Sequence, residues 1–133
     1  MLAKQCYDHE DIAATRARLE GHLDAWGRLA ASEVAELAEF EPVFFNRLVI
    51  ELDAGFARHP PSLDGPPADV LTEVRVLACS LLGDGRLSVD RSVRWRAERT
   101  VLGYRPGDEI AVREADFRAL ATSFLAELET LIA

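Results

Sequence analysis

Phe45, Leu48, Val49, Leu52 and Phe56 recur at helical spacing and make one continuous apolar face, which Phe44 and Ile50 widen. Asn46, Arg47, Glu51 and Asp53 are the polar remainder of the same turns. A helix apolar over more than half its girth belongs in the middle of a bundle, so the other elements are expected to pack around it. Pro42 suits a first helical position, where its missing N–H costs nothing, and Glu39 and Glu41 complement the positive helix start. His59-Pro60-Pro61 ends the segment, because no helix continues through paired prolines.

The same period recurs on both sides. Asp8 is a good N-cap with Glu10 and Asp11 in the first turn, and Ile12, Leu19, Leu23, Trp26 and Ala30 form the stripe that follows. Gly21 and Gly27 weaken that helix by about 1 kcal/mol each relative to alanine. Ser32 suits the cap of a short continuation carrying Val34 and Leu37, so residues 8–40 read as one bent helix or as two. Residues 59–67 hold four prolines and a glycine and form a connecting loop. A third helix starts near Ala68 or Asp69, buries Val70, Val74, Leu77 and Leu81, and stops at Gly83, placed for a left-handed cap. Beyond Gly85 the period falls to two: Leu87 and Val89, then Val93, Trp95 and Ala97, alternate with polar neighbours. Glu109–Val112 reads as a short strand after the turn at Pro106-Gly107. The last helix spans Glu114–Ile132, with Phe117, Leu120, Ala121, Phe124, Leu128 and Leu131 on one face. The expected fold is therefore mainly α: a helical bundle of four or five helices with a small β-hairpin or β-arm before the C-terminal helix. It forms a single helical domain over 1–133, with a proline-rich loop at 59–67 and an irregular or β insertion at 86–112.

Composition narrows the classes of function. A chain of 133 residues removes roughly two thirds of its surface from water on folding. No run approaches the roughly 18 apolar residues of a membrane span, and the first residues carry no secretion signal, so a soluble cytoplasmic protein is expected, with no membrane partner. All the basic residues but Lys4 are arginine, a usage that fits a GC-rich, bacterial-type genome. The net charge of −8 argues against a surface that binds nucleic acid or anionic lipid as a whole. Its distribution is uneven: residues 86–105 hold six arginines against Asp90 and Glu98, while every other segment is acidic.

Few residues form a chemical motif. Around Gly83-Asp84-Gly85 a calcium loop would need oxygen ligands where Leu82 and Arg91 stand, and a dinucleotide fingerprint would need a third glycine. His9, His22 and His59 have no partner at metal-pair spacing and read as surface residues, and there is no serine elbow or lysine-bearing phosphate loop. Cys6 and Cys79 fit neither a metal site nor a disulfide framework. Cys79, on an apolar helix, is expected to be a small buried hydrophobe. No catalytic, cofactor-binding or metal-binding residue is therefore expected.

Two polar features remain. Asn46, Arg47, Glu51 and Asp53 are a candidate ligand pocket on the central helix, against the simpler reading of a solvated helix edge. Arg91, Arg94, Trp95, Arg96 and Arg99 are a candidate partner surface, against the favoured reading that they pair with the acidic segments of the same chain or of a second subunit. The leading expectation is a non-enzymatic interaction or assembly module, a homodimer with no nucleic-acid partner. Its alternatives are a small-ligand protein or enzyme built on the central helix, and a nucleic-acid or acidic-partner binder using residues 86–105. The dimer follows from lengths: a helix from Asp8 to Ser32 is roughly 37 Å long and the central helix roughly 25 Å, which leaves Trp26 beyond its own core.

Overall fold

A computed structural model describes residues 8–56 and 70–132. The proline-rich loop at 59–67, His59, Cys6 and the start of the third helix at residues 68 and 69 lie outside the described residues. Among those described there are four α-helices: α1 (His9–Ala31), α2 (Leu37–Ala54), α3 (Val70–Leu82) and α4 (Glu114–Ile132). The chain is mainly α, and α4 packs against all three other helices. No helix among the described residues is long and apolar enough to cross a membrane.

Local chemistry accounts for each boundary. At the start of α1 the Asp8 side chain accepts from the Asp11 amide while Asp11 accepts from the Asp8 amide, two orphan donors satisfied reciprocally. The helix passes unbroken through Gly21 and Gly27, which lie on its exposed side. It stops at Ser32, whose hydroxyl binds the Leu29 carbonyl at 2.6 Å. Ser32 thus closes α1 and opens no helix of its own. Glu33 follows at φ 55°, a left-handed turn made without glycine, and residues 8–40 resolve into two helices.

The central helix begins earlier than Pro42. It starts at Leu37, so Pro42 is its sixth residue, and the carbonyl that loses an amide partner belongs to the exposed Ala38. That extra turn matters for packing. It lays Phe40 and Phe44 over Trp26, with ring centroids 6.4 and 5.5 Å away, and Phe45 meets the indole edge-on at 5.0 Å. Trp26 is only 3 % exposed, so the expectation that it outruns its own core is corrected. Phe45, Leu48, Val49, Leu52 and Phe56 are all buried as their spacing requires, and Phe56 packs on Phe124 of α4.

Three further expectations change. Gly83 is not left-handed; the positive φ falls at Gly85, whose amide reaches back to the Ser80 carbonyl at 3.0 Å. Cys79 is exposed, because Arg75, Cys79 and Leu82 make the outer stripe of α3 while Leu71, Val74, Leu77 and Ala78 face inward. Leu131, expected on the buried face, is 57 % exposed.

The alternation at 87–97 does not produce a hairpin. Among the described residues there is no strand, only one antiparallel bridge between Arg86 and Glu109 and a single 3-10 turn at Ala97–Arg99. Residues 83–113 form a looped arm closed at its base by hydrogen bonds from Leu87 to Asp108, Gly107 to Leu87 and Ile110 to Gly85. Leu87, Ile110 and Val112 anchor this base in the core. The helices supply enough partners for those three side chains, so a continuous ladder is not needed to bury them.

Candidate functional site

Asn46, Arg47, Glu51 and Asp53 share a helix but not a cavity. Asn46 donates to the Ile110 carbonyl at 3.1 Å and accepts from the Val112 amide at 2.9 Å, so its amide stands in for a neighbouring strand and fixes the end of the arm. Glu51 faces α1, 3.4 Å from His22 and 3.6 Å from Arg18. Asp53 faces α3 and pairs with Arg75 at 2.8 Å. Arg47 is exposed and forms no ion pair with Glu51. The helix turns Asn46, Glu51 and Asp53 toward different neighbours and Arg47 toward solvent, so the four side chains do not converge among the described residues.

The arm is held from inside by a residue that no sequence motif marks. Glu73 on α3 is 1 % exposed, and its two carboxylate oxygens accept the consecutive amides of Val101 and Leu102 at 2.7 and 3.0 Å. Burial lifts its pKa above the ordinary glutamate value, and the two amides pull the other way without cancelling it. Further along, the Trp95 indole donates to the Tyr104 carbonyl at 2.9 Å, and the Tyr104 hydroxyl accepts from the Ala111 amide at 3.0 Å. Half-burial raises the pKa of that phenol. Asp108 accepts the Arg105 amide, and Asp90 is held as a carboxylate by the Ser92 amide and hydroxyl. These bonds give a stretch without regular secondary structure a defined course.

Trp95 is therefore an inward fastening of the arm, half-buried against the core, and not a displayed stacking platform. Arg91, Arg94, Arg96 and Arg99 point the other way. All four are exposed, and none forms an ion pair or a side-chain hydrogen bond with another described residue. The internal pairing favoured from charge distribution is absent among the described residues. Glu73 is taken by backbone amides and Glu41 by Arg113 and the Glu114 amide at the start of α4, while Glu98 and Glu109 on the arm itself are exposed and pair with none of the four arginines.

A shallow groove of about 210 Å³ runs between α1 and α4 over Leu19, Leu23, Ala121 and Leu125. Its rim arginines are both engaged, Arg16 with Glu129 and Arg118 with Glu114, each at 2.8–2.9 Å. Among the described residues no three His, Cys, Asp or Glu side chains gather as a metal site. The groove therefore offers apolar surface edged by the exposed Glu20 and Thr122, whose side chains pair with no other described residue. Comparison with protein-family models, curated proteins and solved structures finds no match for the chain.

Proposed function

We propose that this protein is a non-enzymatic interaction module whose contact surface is the arginine-bearing arm and whose partner is an acidic protein surface. One observation carries the reading: four arginines stand unpaired among the described residues on a segment fastened by a buried carboxylate. Exposed arginines on a loosely held loop lose much of their binding energy to ordering; on a braced arm that cost falls before the partner arrives. Guanidinium groups bind carboxylates in bidentate fashion, which favours acidic side chains as the complement. The net charge of −8 disfavours a long polyanion that would extend from the arm over acidic surface, since screening at 0.15 M salt acts only beyond about 8 Å. That asymmetry ranks an acidic protein surface above nucleic acid.

The test is fluorescence anisotropy with a labelled glutamate-rich peptide and with a single-stranded oligonucleotide of equal length, at near-physiological salt. Peptide binding that disappears in the combined Arg94→Glu and Arg96→Glu variant, with the helical spectrum unchanged, supports the reading. Tighter binding of the oligonucleotide, lost in the same variant, transfers the arm to nucleic-acid recognition. Binding of neither probe, at protein concentrations low enough to keep the chain monomeric, overturns both.

A further inference from the structure

The exposed apolar residues are not scattered evenly. Leu29, Val34, Phe40 and Val43, between 36 % and 57 % exposed, all belong to the corner where α1 turns into α2. Phe40 stacks on Trp26 of α1 and meets Phe44 of its own helix at a tilt, and it is still 43 % exposed. Val43 lies three residues further on the same side of α2. Glu33, Glu36 and Glu39 fringe this corner. All three are exposed and without an ion pair among the described residues, against the exposed cations Arg28 and, one turn beyond Val43, Arg47.

Unpaired carboxylates beside an open aromatic ring are the two groups that bind arginine best, one by bidentate hydrogen bonds and the other by cation–π contact. The arm presents the converse: Arg91, Arg94, Arg96 and Arg99, with Val101 37 % exposed beside them. Resting on the reading of the arm as a contact surface, we infer that its partner is a second copy of this chain, docking its arm on the α1–α2 corner. Because every chain carries both surfaces, two copies related by a twofold axis satisfy both contacts at once and close the assembly. The corner supplies the apolar part and the orientation, and the charges supply the pairing rule.

The complementarity makes a strict test by light scattering at micromolar concentration. Wild type is expected as a dimer. Glu33→Lys with Glu36→Lys makes the corner as basic as the arm, and Arg94→Glu, Arg96→Glu and Arg99→Glu make the arm as acidic as the corner. Each variant alone is expected to be monomeric, because like charges then face each other in both contacts. Mixing the two is expected to restore a one-to-one dimer, since each contact in the mixed pair is complementary again. Should a multiply substituted chain lose its helical spectrum, Val43→Asp, at a 57 % exposed position, interrupts the corner without touching the core and is expected to give a monomer. A monomeric wild type, or a dimer that survives Val43→Asp and both sets of reversals, overturns the inference. If wild type is monomeric while the glutamate-rich peptide still binds the arm, the self-association fails and the interaction module stands.

Discussion

Glu73 and Val101, 28 residues apart in the chain, are joined by a 2.7 Å hydrogen bond from the Val101 amide to the buried carboxylate. The second oxygen takes the next amide, Leu102, so one side chain of α3 fixes two peptide units of an otherwise irregular segment. A carboxylate suits this place because it is acceptor-only when ionised. A glutamine there would turn an N–H toward an N–H.

Glu73→Gln is accordingly expected to destabilise the fold by about 1–3 kcal/mol, the cost of leaving a buried donor unsatisfied. The sign of its pH dependence follows from the raised pKa. As pH falls from neutral, folded Glu73 takes up its proton before the unfolded chain does, which favours the folded state until both are protonated below the ordinary value of 4.5. Wild type therefore gains stability relative to Glu73→Gln as pH is lowered through that window. Urea melts of both proteins at neutral pH and at mildly acidic pH measure the difference; a gap that narrows toward acid would contradict the assigned direction.

Asn46 makes two bonds to the arm's end and is expected to matter for the same reason. Asn46→Leu leaves the Ile110 carbonyl and the Val112 amide without their partner, at about 1–3 kcal/mol for each group that water does not reach. Hydrogen exchange at Val112 should accelerate in this variant. An unchanged exchange rate would show that the amide is held by something else.

Phe45 touches Trp26, Phe44 and Phe117, three elements of the bundle through one ring. Phe45→Ala and Phe56→Ala are each expected to cost about 3–5 kcal/mol, whereas the exposed Glu36→Ala should stay within about 0.5 kcal/mol. Denaturant midpoints that fall equally in all three would place the core elsewhere.

At concentrations low enough to keep the chain monomeric, reversal of Arg94 and Arg96 is expected to leave stability within about 0.5 kcal/mol, because no described carboxylate of the same chain pairs with them. This reverses the consequence of internal pairing, under which the same substitutions would loosen the fold. Thermal melts of the double variant decide it.

Cys79, on the outer stripe of α3, is expected to react with a thiol reagent in the native protein without denaturant. Reagent uptake that waits for unfolding, measured on a Cys6→Ser background, would return the thiol to the interior.

What the chain determines by itself is local. The 3.6-residue period marks the buried faces of α2 and α4, the Asp8–Asp11 box starts α1, and the bounds of α4 coincide with its apolar stripe. Periodicity is a property of neighbours in sequence, and these features need nothing else. The short alternation at 87–97 misleads because side chains can reach a core from an irregular backbone when distant groups satisfy its amides. Here Glu73, Asn46 and the Tyr104 hydroxyl do so. The same physics separates Asn46, Glu51 and Asp53, which lie close together along α2 yet are drawn to the arm, α1 and α3. It also leaves four arginines facing solvent, although most of the chain is acidic. Charge totals say how much of each sign is present, and only tertiary packing decides which carboxylates are already taken.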